Sequence, residues 1–99
     1  MNYREVAKKL ETICAINITP FYEKTMKVNW QGLEENIQFL LDNGVEVIVP
    51  NGNTSEFYAL TIEEAKEETR KVVELVKKRA VVVAGIGYSV ETAIELGKD

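Results

Sequence analysis

Three observations predict an α/β fold built on a parallel sheet. Val45–Val49 and Ala80–Ile86 are apolar at nearly every position, as in strands buried on both faces. Strand starts fall roughly 30 to 36 residues apart, a βα repeat length. The segments between them carry apolar residues three and four apart, the spacing of a helix. The expected order is a short helix and then three consecutive strand–helix units with right-handed crossovers.

Each element has a local reason. Tyr3 to about Thr12 reads as a helix with Val6, Ala7 and Leu10 on one face. Ala15–Thr19 reads as a strand stopped by Pro20, which cannot donate to a central ladder. A polar loop runs through Lys27. Asn29 then caps a helix with Leu33, Ile37, Leu40 and Leu41 on its core face, and Asn43-Gly44 ends it. After the strand Val45–Val49, Thr61-Ile62-Glu63-Glu64 forms a capping box that opens a helix to about Lys78. Its core stripe is expected at Ala65, Thr69, Val72, Val73 and Val76. Lys77, Lys78 and Arg79 suit its negative carboxyl end. Ala80–Ile86 is the third strand, and Ser89 caps a last helix beginning near Val90.

With 99 residues there is room for one small domain, and no linker interrupts it. Three buried parallel strands want cover on both faces, and three alone leave two unpaired edges. The chain therefore reads as the opening portion of a larger barrel. Net charge is −4 with Lys and Arg scattered among Glu, so no basic stripe points to nucleic acid. No apolar run approaches the roughly 20 residues that span a bilayer, and the charged start Met1–Glu5 offers no signal core. One cysteine, Cys14, makes a reducing cytoplasm the simplest setting and reads as a small buried hydrophobe. There is no histidine, which removes His triads, His metal sites and His general bases within this chain. Neither glycine pattern of a nucleotide site is present. No metal or cofactor is expected.

The segment most suggestive of function follows the second strand. Gly52-Asn53-Thr54-Ser55-Glu56-Phe57 is a loop of short polar residues delivered at a strand's carboxyl end. Free backbone N–H groups and small hydroxyls there, beside the start of a helix, make an anion pocket. Asn53 and Thr54 are its candidate binding residues.

Four segments in order now resemble the amino-terminal third of one family. They are Ile18-Thr19-Pro20-Phe21, Gly52-Asn53-Thr54-Ser55-Glu56-Phe57, Leu60-Thr61-Ile62-Glu63-Glu64 and Val82-Val83-Ala84-Gly85-Ile86-Gly87. The chain resembles the dihydrodipicolinate synthase / N-acetylneuraminate lyase family, the pyruvate-handling class I aldolases. The resemblance implies that residues 1–99 are the first three βα units of a (β/α)8 TIM barrel, preceded by a short helix. The substrate it implies is pyruvate or another 2-keto acid. Asn53 and Thr54 would present N–H groups to the carboxylate, with the Thr54 hydroxyl as a third donor. Such charge-assisted bonds are roughly twice as strong as neutral ones. Gly52, Ser55 and Glu56 would support the loop, Glu56 by bracing it. The complete protein is expected to be a homo-oligomer.

Two departures stand out. The plain synthases carry threonine at the position of Asn53, where its hydroxyl relays protons; an amide cannot do so, which puts true synthase activity in doubt. The family has glycine at the position of Ser55. If that residue needs φ > 0, serine costs on the order of 1 kcal/mol, and Ser55→Gly is expected to stabilise the loop. The family's chemistry also needs a Schiff-base lysine from a later strand. All nine lysines here fall in helices or polar loops, too solvated for that role. The 99 residues are thus expected to bind without catalysing.

Other features read as structure. Gly85-Ile86-Gly87 suggests close strand–loop packing rather than a phosphate site. Glu63, Glu64, Glu67 and Glu68 are expected on a solvated helix face. Tyr22, Tyr58, Tyr88 and Trp30 read as packing residues. The rival reading of the whole chain is a self-assembling α/β binding module without catalysis, its strand edges paired between copies.

Overall fold

The structure is a computed structural model that describes residues 2–52 and 55–99. Helix α1 (Tyr3–Lys9) leads to strand β1 (Cys14–Ile16) and helix α2 (Trp30–Asp42). Strand β2 (Val47–Val49), a 3-10 turn (Phe57–Ala59) and helix α3 (Ile62–Val76) follow. Strand β3 (Val81–Val82) and helix α4 (Val90–Lys98) complete the order. The strands form one parallel sheet, β1-β2-β3, with Cys14 opposite Val47 and Val47 opposite Val81. The α/β class is as predicted. The strands are shorter than predicted.

Pro50 explains the short pairing of β2 with β3. The N–H groups of Val81, Val83 and Gly85 donate to the carbonyls of Glu46, Ile48 and Pro50 at 2.8, 3.0 and 2.9 Å. The bond returned from position 50 needs an N–H that proline lacks. Beyond Val82 the contact continues with bonds from one side only.

The helices start where their caps stand. Asn29 Oδ1 accepts from the Gly32 N–H at 2.9 Å. Thr61 Oγ1 accepts from the Glu64 N–H at 3.1 Å, while Glu64 Oε1 accepts from the Thr61 N–H at 2.8 Å. Ser89 Oγ accepts from the Thr92 N–H at 3.2 Å. Helix α1 has its own capping box at Asn2, but it ends at Lys9 rather than Thr12 and has no buried residue. Helix α3 stops at Val76 because Lys77 turns left-handed, φ 48.

The core lies between the sheet and two helices. Leu33, Ile37 and Leu41 of α2 pack with Ile48 of β2, Val72 and Val76 of α3, and Ala80. A second cluster holds Val28, Phe57, Leu60 and Ala65, and Trp30 packs against both. Since Ile48 faces these helices, Cys14, which pairs with its neighbour Val47, lies on the opposite face. Cys14 is exposed there on an outer strand, not buried as the sequence suggested.

The stripe of α3 also differs from expectation. Val73 is 52% exposed, whereas Glu68 is 0% exposed. At about 100° per residue, position 68 lies about 60° from Ala65 and position 73 about 80°, on opposite sides of the stripe. Geometry favours 68, and the helix buries its glutamate. Among the described residues no helix is long and apolar enough to cross a membrane.

Candidate functional site

The loop after β2 is fastened at both ends. Asn51, buried and left-handed at φ 60, donates its Nδ2 to the Ala65 carbonyl and to Thr69 Oγ1 of α3, each at 2.9 Å. A Cβ on Gly85 would collide with the Asn51 carbonyl, so only glycine lets β3's exit pass here. The next residue, Gly52, also packs closely: a Cβ there would lie 2.6 Å from Ile16 Cγ2. Close packing is thus what Gly85 serves.

On the far side, Ser55 is fully buried. Its N–H donates to the Gly52 carbonyl at 3.0 Å, and its Oγ donates to the Asn17 carbonyl at the end of β1. Glu56 follows in left-handed backbone at φ 60; its side chain is exposed and does not cap the 3-10 turn. Asn53 and Thr54, the candidate carboxylate-binding residues, lie outside the described residues. The structure therefore brings Gly52 and Ser55 together across them.

Beneath the loop sits a polar cluster that the sequence reading did not assemble. Thr19 Oγ1 donates to Glu68 Oε1 at 2.6 Å, and Asn17 Nδ2 donates to the same oxygen at 3.3 Å and to the Ile18 carbonyl at 3.1 Å. Asn17, Thr19 and Glu68 are all buried. Burial pushes the Glu68 carboxyl up to about 7, and the bonds from Thr19 and Asn17 offset only part of that. Among the described residues, Glu68 Oε2 and Asn17 Oδ1 have no hydrogen-bond partner. The four glutamates expected in solvent thus split, with Glu68 inside. Helical spacing from Ala65 was the signal that could have found it.

An aromatic group flanks the loop. Phe57, Tyr58 and Tyr88 stack with ring centroids 4.9 to 5.2 Å apart. The Tyr88 hydroxyl lies 2.8 Å from the Phe57 and Leu60 carbonyls, either of which can accept its proton. Burial raises its pKa above the ordinary value, with Tyr58 and Glu64 adding to the effect. Tyr88 itself is left-handed, φ 70. These rings pack as expected, although Tyr58 remains 64% exposed.

Among the described residues no lysine lies on a strand. Lys66 of α3, nearest the loop's anchor at Ala65, is paired with Glu95 at 2.9 Å, which raises its pKa. Among the described residues, the loop stands on a buried polar floor of Asn17, Thr19 and Glu68.

The Dihydrodipicolinate synthetase family model matches residues 9–99. The chain belongs to this family. It is 50% identical over 80 residues to a 4-hydroxy-tetrahydrodipicolinate synthase of Methanocaldococcus jannaschii, a match covering 80% of this chain and 27% of the relative. The crystal structure of a dihydrodipicolinate synthase from Oceanobacillus iheyensis superposes with TM-score 0.92 at 65% identity, over 98% of this chain and 32% of that one. An N-acetylneuraminate lyase from Mycoplasma synoviae superposes with TM-score 0.85 at 32% identity, over 92% of this chain and 32% of the lyase. Residues 1–99 therefore span about a third or less of these family members. The small parallel sheet with its helices matches the amino-terminal part of their fold.

Proposed function

We propose that the chain is the first three βα units of the (β/α)8 barrel of a lyase or dehydratase that forms a Schiff base with pyruvate or another 2-keto acid. Its part in that enzyme is to grip the substrate's carboxylate with the N–H groups of Asn53 and Thr54 and the Thr54 hydroxyl. The observation that carries this reading is the Gly52–Glu56 loop, fastened by Asn51 and Ser55 at the carboxyl end of a strand in a member of this family. In (β/α)8 enzymes the loops at that end form the active face.

In the complete protein a lysine from a later strand attacks the keto carbon, and water leaves as the imine forms. A C–C bond is then made or broken, or a further water is eliminated. The loop's donors hold the carboxylate so that the keto carbon meets the amine. Asn53, an amide, favours members that do not pass a proton through a hydroxyl at this position. With this reading go a cytoplasmic setting and a homo-oligomeric complete enzyme.

Borohydride trapping tests it. The full reading frame containing these residues should give a covalent pyruvate adduct, and residues 1–99 alone should give none. Thr54→Val should raise the pyruvate concentration needed for half-maximal trapping about tenfold, the scale of one lost charge-assisted bond. Unchanged trapping by that variant would remove the loop from substrate binding. A compact oligomer of residues 1–99 in sedimentation would instead favour the self-assembling module.

A further inference from the structure

A carboxyl group has been placed where α3 needs only an apolar residue. Ala65, Val72 and Val76 complete the same stripe, and a valine or leucine at 68 would extend it. Burying a carboxyl without a charged partner costs free energy, so the group contributes something other than core stability. Its contacts show what. Glu68 Oε1 receives both Thr19 Oγ1 and Asn17 Nδ2, residues 49 and 51 positions earlier at the exit of β1. The Asn17 carbonyl in turn receives Ser55 Oγ, next to Thr54. One acceptor oxygen on α3 thus reaches the loop after β2 through the end of β1.

We infer that Glu68 is a positioning residue for the keto-acid loop, holding Asn17 and through it Ser55, so that the loop's exit at Ser55 is fixed before substrate arrives. This rests on the reading of Asn53 and Thr54 as the carboxylate grip. The bonds that matter are donated to an oxygen. A neutral amide at 68 keeps one acceptor oxygen, puts an NH2 group in place of the other, and removes the ionisable proton.

The full reading frame is compared with its E68Q, E68L and T19V variants. E68L should raise half-saturating pyruvate in borohydride trapping about tenfold, while the adduct yield at saturation stays within about twofold. E68Q should stay within about twofold of wild type, and T19V, which removes one of two donors, should fall near threefold. In an S55A background, E68L should add less than about twofold, because the link it acts through is already cut. Amide exchange over residues 50–60 should rise in E68L and T19V while α2 keeps its protection. A lower melting temperature in E68L with unchanged half-saturation and unchanged exchange at 50–60 would overturn the inference and leave Glu68 a packing residue. If E68L does not fold, T19V and E68Q decide by the same two readouts. Wild type that traps no pyruvate would sink the keto-acid reading; unchanged exchange at 50–60 in T19V would sink this one separately.

Discussion

The two halves of α3 meet the sheet in opposite ways. Its second half lays Val72 and Val76 on Ile48, Ile37 and Ala80, all apolar and almost fully buried. Its first half presents Glu68 and Thr69 to Asn17, Thr19 and Asn51, also buried but joined by named hydrogen bonds. The apolar half gains from area removed from water and tolerates small slides, since dispersion has no direction. The polar half gains little net free energy per bond, but each bond has one geometry and a penalty for missing it. Stability is concentrated at one end of the helix, and placement of the loop at the other.

Substitutions at the two ends should therefore differ in kind as well as size. Ile37→Ala, in α2 against the apolar half of α3, should cost about 2–5 kcal/mol in urea unfolding and leave pyruvate half-saturation unchanged. An equal shift in ligand binding would erase the division of labour. Next comes the pH dependence of the polar half. The folded value of Glu68 is raised to about 7 from 4.5, so the folded state holds the proton where the unfolded state has lost it. Its stabilising contribution is complete below about pH 4.5 and declines as pH rises to about 7, by up to about 3 kcal/mol. Glu68→Gln should flatten that slope in unfolding measured from pH 4 to 8.

Ser55→Gly is smaller and sharper. The sequence suggested a gain; the buried bond to the Asn17 carbonyl reverses the sign, and a loss of about 1 kcal/mol is expected. A rise in melting temperature would show that the bond carries no weight. The smallest effect lies just past the apolar half. Lys77 is left-handed, so Lys77→Gly should stabilise by about 0.5–1 kcal/mol, visible as a higher urea midpoint with binding untouched.

Much of this architecture was legible from residue types. Asn29, Thr61 and Ser89 mark helix starts because their side chains accept the first free N–H groups, and all three do so. Strand lengths were not legible. They depend on partners, and Pro50's missing N–H trims pairing on β3, a strand that contains no proline itself. The loop after β2 stood out by its short polar residues, while Asn53 and Thr54, proposed to grip a carboxylate, lie outside the described residues. Its floor was hidden for another reason. A glutamate among four on one helix reads as solvated until the angular position of residue 68 is weighed ahead of its polarity. Cys14 erred the other way, an apolar type left exposed on the outer strand.

The Asn51 side chain reaches past the loop and the 3-10 turn to seize α3 at Ala65 and Thr69. That crossbar ties the start of the loop directly to the helix that follows it. A ligand that tugs on the loop then moves the helix as a lever instead of stretching a tether, and time-resolved or multi-state crystallography of the complete enzyme should record the event as a tilt of α3.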